Sequence, residues 1–551
     1  MKMKLNPIIK KILSDRGIVT REQIKEYLSP VPQSTYDPFL LKNMNEACDR
    51  IVKAVKDGER ICIYGDYDVD GVTSVTLLSE ILGSVTENLT YYIPSRFTEG
   101  YGLNMGAVDK MHADGVSLVI TVDTGCTARE EAAHIKELGM DIVVTDHHRV
   151  DPDRKPDCIM IDAKQEGETY PYRDLCGCGT AFKLAQALRT RLDIPRNVLY
   201  HCLDLTGVAT VADVVPLTDE NRTFVKYGID RIRKQERPGM NALLRTSSTD
   251  LATLSSYDIA FRIGPRLNSA GRLETADESV ELLRAEDENE AMKRAQKLES
   301  LNSERRSLQD AIFESGVQYI DENLADDPFI VYIAEDANEG VMGIAAGKLK
   351  EKYNKPVIIM APTSPEGYLK GTGRSVDGVD IFRMLNAHVE LFEKFGGHAA
   401  ACGFTISEEN GLKLRGILNS DMKKIIEADP DVLERKIETA AVIKADDASL
   451  DLALQLEMME PFGCGNERPL FTVEGLEVTD VYSMGASGQY RKYVCRTSSG
   501  RLDAVVFDNE IDGYDTVTAG DTLDAVAEIC VDRWNGRSSV QLIIKEILER
   551  C

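Results

Sequence analysis

Three aspartates occupy alternate positions in Tyr64-Gly-Asp66-Tyr-Asp68-Val-Asp70-Gly71. Carboxylates this close repel one another unless a cation neutralises them. A calcium loop of the D-x-D-x-D-G type would use them, but that loop follows a helix and closes with an acidic residue at its twelfth position. Here a short apolar run, residues 60–64, precedes the aspartates, and the twelfth residue from Asp66 is Leu77. A merely solvated turn is the other simple reading. Two further apolar runs end in similar chemistry. Residues 116–122 lead into Asp123, and residues 141–145 lead into Asp146-His147-His148. A fourth segment, residues 207–216, carries Asp213 within an apolar run. A buried carboxylate needs a partner, and a metal ion is a good one.

A lone aspartate after a strand is more often a helix cap than a ligand, and a lone histidine is more often structural. Those readings leave three successive acidic or imidazole-bearing strand ends unexplained. The expected ligand set is therefore Asp68, Asp70, Asp123, His147 and Asp213, with Asp66 and His148 beside it. Carboxylate and imidazole without thiolate suit Mn²⁺ or Mg²⁺ better than structural zinc. At least four carboxylates exceed what one divalent ion needs. Two ions roughly 3.5–4 Å apart would match them and would clamp an in-line phosphoryl displacement.

The apolar runs must be strands of one sheet to bring these groups together. Residues 71–82 and 128–138, between the runs, read as helices. Strand–helix–strand order with near-continuous apolar strands predicts an α/β fold with a parallel sheet covered on both faces. Ligands in such sheets gather beyond the carboxyl ends of the strands. Around this core, residues 1–45 read as a helical segment ended by prolines. Residues 276–327 read as one long connecting helix, with no Gly or Pro until Gly316. A second, smaller α/β unit is expected over 328–430. Short alternating runs over 435–551, with Asn535-Gly536 as a hairpin turn, predict a small β-barrel.

The chain has 551 residues, enough for roughly three or four domains. With 43% hydrophobic and 28% charged residues it is ordinary globular material. The net charge of −26 argues against holding nucleic acid by a generally basic surface, though not against a local basic pocket. No apolar run is long enough for a membrane span, and the first residues lack a secretory pattern. Twelve cysteines in such a chain read as reduced thiols, and a cytoplasmic location is expected. Cys176-Gly177-Cys178 lacks partners at zinc spacing and reads as a glycine-rich helix start.

The segments around Asp68, Asp123, His147 and Asp213 resemble the four motifs of the DHH phosphoesterase superfamily. Within it the chain is similar to the RecJ-like exonucleases. Ile93-Pro-Ser-Arg96-Phe-Thr-Glu-Gly-Tyr-Gly-Leu-Asn104 and Arg262-Ile-Gly-Pro-Arg266-Leu-Asn268-Ser-Ala-Gly271-Arg272 carry that narrower likeness. Gly340-Val-Met-Gly-Ile-Ala-Ala, Gly373-Arg374-Ser375 and Gly396-Gly397-His398 resemble an accessory DHHA1 domain. Residues 460–466 and 533–537 resemble the RecJ OB-fold. The resemblance implies a DHH domain over 46–275, the connecting helix, a DHHA1 domain over 328–430 and an OB-fold barrel over 435–551. It implies metal-dependent 5′→3′ hydrolysis of single-stranded DNA to 5′-mononucleotides in recombination and repair, beside single-strand-binding protein and a helicase. His148 and Asp66 are then the catalytic groups next to the two ions, and Arg96 and Arg272 contact phosphate. Where some members carry a histidine four residues before the first ligand aspartate, this chain has Tyr64, and the group completing the second metal site is left open.

An acidic protein still needs positive groups for its substrate. Arg374 and Ser375, read as a turn, together with a Gly396-Gly397-His398 turn that lets backbone amides approach a phosphate, form the expected pocket. Residues 435–551 hold 12 Lys and Arg against 21 Asp and Glu, unusual for an oligonucleotide-binding barrel. Its basic residues gather at Arg491, Lys492, Arg496, Arg533 and Arg537, and Trp534 is a candidate for stacking on a base or for packing. Two rival functions remain at this stage. One is a phosphodiesterase for short oligonucleotides or cyclic dinucleotides; the other is a non-catalytic replication scaffold, against which the retained ligands speak.

Overall fold

The apolar runs form the predicted sheet. The structure, a computed structural model, describes residues 5–31, 34–485, 487–498, 500–534 and 536–550. The chain divides into two compact units. One comprises Met1–Gly264, Val280–Ala291 and Glu438–Cys551, and the other Pro265–Ser279 and Met292–Ile437.

In the first unit, β1 (Ile61–Gly65), β2 (Leu89–Tyr92), β3 (Leu118–Val122), β4 (Asp141–Thr145) and β5 (Ile159–Ile161) pair in the order β2-β1-β3-β4-β5. All pairs are parallel. β1 and β3 are buried throughout, as a sheet covered on both faces requires. The register places Gly65 beside Val122, Val122 beside Thr145 and Thr145 beside Ile161. The residues that follow, Asp66, Asp123, Asp146 and Asp162, therefore leave the sheet in one row.

The barrel strands are β12 (Leu470–Met484), β13 (Tyr490–Thr497), β14 (Gly500–Val506), β15 (Thr522–Trp534) and β16 (Arg537–Arg550). They run in the order β12-β13-β14-β16-β15, and β15 closes on β12. A short β11 (Ala441–Lys444) adds in parallel to β12. β15 and β16 join at the pairing of Trp534 with Arg537. Asn535 of the expected hairpin turn and the Trp534 side chain lie outside the described residues.

The N-terminal helices Pro7–Asp15 and Arg21–Leu28 are part of this barrel's core. Ile9, Ile12, Leu13 and Leu28 are buried together with Leu452, Phe471, Val473, Leu502 and Leu523. Arg16 donates to Asn466 and to Glu467 O. Arg222, behind the parallel sheet, donates to Tyr27 O at 2.9 Å and Glu460 O at 2.7 Å, tying the helices, the barrel and the sheet domain together.

The second unit holds a mixed sheet. Its strands are β6 (Ile330–Ile333), β7 (Val357–Thr363), β8 (Tyr368–Arg374), β9 (Phe392–His398) and β10 (Ala401–Ser407), in the order β6-β7-β8-β10-β9. Phe329, Ile358, Met360, Phe404 and Leu414 centre its core. The long helix runs over Glu288–Asn323, later than expected, because a separate helix covers Asp277–Arg284. Asp287 makes the break: its Oδ1 accepts from Asn289 N and Glu290 N, both at 2.9 Å, capping the second helix. Among the described residues no helix is long and apolar enough to cross a membrane.

Leu13→Ala should destabilise the barrel by about 2–5 kcal/mol, because it empties a fully buried site. Chemical unfolding measures this. Unchanged stability would remove the N-terminal helices from the barrel core.

Candidate metal centre

The carboxyl end of the parallel sheet gathers the acidic groups. Asp66 and Asp123 follow β1 and β3 directly, and both are buried. Asp68 caps the helix Val69–Gly83, accepting from Asp70 N at 2.9 Å and Gly71 N at 3.1 Å. Gly71 is required in this turn, since a Cβ there would lie 2.3 Å from Asp66 O. Asp70 sits in the first turn of the same helix, and Asp213 ends the helix Leu203–Ala212.

Their free atoms converge on His147. Its Nε2 lies 3.1 Å from Asp123 Oδ1, 3.6 Å from Asp213 Oδ2 and 3.7 Å from Asp70 Oδ2. Three sets of three donors result, each within 4.8 Å of one another: Asp66, Asp68 and Asp123; Asp70, His147 and Asp213; and Asp123, His147 and His148. The short Asp123–His147 approach joins them. Asp123 holds φ at +59°, a left-handed conformation that costs a non-glycine residue energy and recurs at functional sites.

The electrostatics are those of buried carboxylates crowded together. Burial, with the charge of Asp68, pushes Asp70 up to about 7. Burial, with Asp70 and Asp68, pushes Asp213 up to about 8. Asp66 and Asp123 are driven well above the carboxylate range, first by burial and then by their neighbours. His147 falls to about 3 through burial and the neighbouring His148, so it is neutral and ready to ligate. Asp66 Oδ1, Asp123 Oδ1 and His147 Nε2 are buried without a hydrogen-bond partner among the described residues. Unsatisfied oxygens and an imidazole nitrogen aimed into one space fit hard divalent cations, and the first two donor sets, which share no residue, match two of them.

His148, a member of the third set, differs from the other donors in charge. Burial alone would lower it, but Asp146, whose Oδ1 lies 2.8 Å from His148 Nδ1, outweighs this and pushes it up to about 9. Asp146 is itself held by Cys126 N at 2.8 Å and His147 N at 2.7 Å. Tyr64 is excluded from the centre, since its hydroxyl donates to Gly102 O at 2.9 Å and its ring stacks on Tyr92.

Comparison with known proteins assigns the fold units. The chain matches the N-terminal domain of the DHH family over residues 60–210, the DHHA1 domain over 326–424 and the RecJ OB domain over 439–546. It is 35% identical to the single-stranded-DNA-specific exonuclease RecJ of Bacillus subtilis, over 99% of this chain and 68% of that protein. It is 31% identical to the Escherichia coli enzyme of the same name, over 85% of this chain and 83% of that protein. The chain belongs to the RecJ family. The crystal structure of RecJ from Thermus thermophilus in complex with Mn²⁺ superposes with a TM-score of 0.81 at 25% identity, covering 99% of this chain and 79% of that one.

The remaining RecJ-like motifs fall in both units. Arg96 lies over the Tyr67 ring at 4.0 Å, beside Asp66 and Asp68. In the second unit Arg272 donates to Gly340 O at 3.0 Å. Arg374 is the last residue of β8 and not part of a turn, and Gly396-Gly397-His398 ends β9 instead of forming a turn. Antiparallel pairing is the reason: Arg374 faces Ala401, and Ala401 faces His398, so the turn falls at Ala399 and Ala400. Ser375 is buried, with its hydroxyl on Val379 O at 2.6 Å. In the barrel Arg533 is paired with Glu457 and Lys492 with Asp503, so these two are not bare cations.

Three groups at the centre escaped the sequence. Asp146 orients His148. Tyr101, exposed, holds its hydroxyl 3.4 Å from the His148 ring nitrogens. Asp162 ends the row with Oδ2 buried and without a hydrogen-bond partner among the described residues. Tyr101 lies inside a quoted motif, so its aromatic ring among glycines was a usable signal; Asp162 follows only a three-residue strand.

Raised carboxyls make the metal-free fold a net binder of protons relative to the unfolded chain. Their contribution to stability is therefore present at low pH and lost as pH rises through about 7 and about 8 for Asp70 and Asp213. His147 acts in the opposite sense only below its ordinary 6.5. Chelated protein should melt at a lower temperature at pH 8 than at pH 6.5, and Mn²⁺ should close the gap while binding more tightly at pH 8. Equal melting at both pH values without metal contradicts this.

Proposed function

We propose that this RecJ-family chain removes 5′-mononucleotides from the 5′ end of single-stranded DNA with two Mn²⁺ or Mg²⁺ ions. The observation that carries the reading is the convergence of unpartnered, buried donor atoms at the sheet's carboxyl end. Asp68, Asp70, Asp123, His147 and Asp213 hold the ions, with Asp66 beside them. Bound there, divalent ions supply an activated water and stabilise charge on the departing oxygen.

The chain's own groups do the rest. His148 keeps a proton at neutral pH, and with Nδ1 turned to Asp146 its Nε2 offers that proton to the scissile phosphate. Asp146 fixes this ring orientation. Arg96, held on Tyr67, contacts phosphate beside the centre. Arg272, Arg374, Ser375 and the Gly396–Gly397–His398 strand end serve the 5′ phosphate in the second unit. Arginine suits this work because its fork meets phosphate oxygens at two points.

A groove of about 940 Å³ in the first unit supports a single-stranded polymer over a small substrate. Val214, next to Asp213, lines it with Tyr257, Phe261, Phe462 and Phe507, while Arg468 and Lys545 there are paired with Glu460 and Glu528. Bases of a single strand stack on such rings without regard to sequence. The barrel's part of this groove would be superfluous for a cyclic dinucleotide. We place the protein in the cytoplasm, acting beside single-strand-binding protein and a helicase in recombination and repair.

End-labelled single strands, duplexes and dinucleotides incubated with Mn²⁺ test the reading through product lengths. Mononucleotides released only from the 5′ end of single strands are expected; products from dinucleotides alone would refute it. Asp123→Ala and Asp213→Ala should each lower turnover by more than about 100-fold, beyond what losing a mere support of a ligand costs, without unfolding the protein. Arg374→Ala should weaken DNA binding and turnover together while Mn²⁺ affinity holds, and Arg374→Lys should recover only part. Full activity of Arg374→Ala on 5′-phosphorylated single strands removes that pocket.

A further inference from the structure

Cys176-Gly177-Cys178 has no place among the ligands, yet it lies against them. The helix Gly177–Leu188 starts there. Gly177 N donates to Asp70 Oδ2 at 2.6 Å, and Cys178 N donates to Asp70 Oδ1 at 2.7 Å. Both oxygens of one carboxylate are thus fixed by the first two amides of a twelve-residue helix, whose positive end favours the anion.

The same glycine also touches Asp123. A Cβ on Gly177 would stand 2.6 Å from Asp123 Cβ, 2.7 Å from Asp123 Oδ1 and 2.9 Å from Asp123 Cα. No real Cβ comes so close. Asp123 cannot easily yield, because it leaves β3 with its φ already at +59°. The two thiols face elsewhere. Cys176 Sγ accepts from Gly179 N at 3.2 Å and lies 3.6 Å from Thr210 Oγ1, and Cys178 Sγ lies 4.0 Å from Thr206 Oγ1.

We infer that Gly177 is a positioning residue of the metal centre, setting Asp70 through the amides of its helix start and admitting Asp123 through its missing side chain. One backbone segment thereby fixes the separation of two carboxylates that belong to different donor sets. The inference rests on the two-ion reading of the centre. It gives the glycine a task that neither the helix nor the turn alone demands, since Gly179, two residues later, has only ordinary neighbours at 3.6 Å.

The test uses the full chain, freed of metal by chelation, with Mn²⁺ affinity read by calorimetry and its environment by electron paramagnetic resonance. Gly177→Ala should lower Mn²⁺ affinity about 10- to 100-fold and change the resonance spectrum. Gly179→Ala should bind Mn²⁺ as the wild type does. Asp123→Gly removes the Cβ and Oδ1 that an alanine at 177 would strike. Adding Gly177→Ala to Asp123→Gly should therefore cost less further affinity, and less melting temperature, than adding it to the wild type. If Gly177→Ala alone fails to fold, recovery of folding in the double variant supports the inference, and an unfolded double variant overturns it. Wild-type affinity in Gly177→Ala, or the same loss in both backgrounds, also overturns it. A wild-type chain that binds no Mn²⁺ would instead bring down the two-ion reading beneath it.

Discussion

Five aspartates cannot share a dry sheet edge as anions. Two unit charges 4 Å apart repel by about 4 kcal/mol at an effective dielectric of about 20, and Asp70, Asp123 and Asp213 crowd around His147 while Asp66 and Asp68 crowd on Asp123. Burial first, and then the charge of their neighbours, drives Asp66, Asp70, Asp123 and Asp213 upward. The rest of the first unit serves this concentration of charge. Buried parallel strands in fixed register deliver the row, and two helix starts supply amides: Asp68 caps one, and Asp70 is capped by the other. Cations convert the repulsion into affinity for metal and, through the metal, for phosphate.

That logic explains how an acidic chain can work on a polyanion. With a net charge of −26 it gains nothing from long-range steering. Screening over about 8 Å at physiological salt leaves the outcome to local groups. His148 keeps a proton beside the carboxylates because Asp146 offsets it with a buried charge of its own. The barrel, whose Arg533 and Lys492 already have acidic partners, contributes aromatic and aliphatic surface along the groove more than bare charge.

The acidic edge was legible in the sequence because strand ends in parallel sheets are marked twice, by an apolar run and by the polar residue that stops it. Asp66, Asp123 and His147 carried both marks. Asp162 carried only a three-residue run, too short to stand out. The roles of Gly177 and Cys178 were hidden for another reason: the partner of their amides, Asp70, lies more than a hundred residues earlier. Likewise nothing local in Leu13 announces a barrel that begins over 400 residues later. Arg374 and His398 were recognised by type but misplaced in turns, because glycines mark both a turn and a strand into which a neighbour presses closely. The helix break at Asp287 was visible in principle, as an aspartate two and three residues before the amides it caps.

The most direct test of the cation requirement is to see the ions. Crystals of the full chain soaked in Mn²⁺, with diffraction measured at the manganese edge, would locate them by anomalous scattering. Two peaks roughly 3.5–4 Å apart, bounded by Asp66, Asp68, Asp70, Asp123, His147 and Asp213, are the predicted result. A single peak, or manganese bound away from the end of β3, would contradict it.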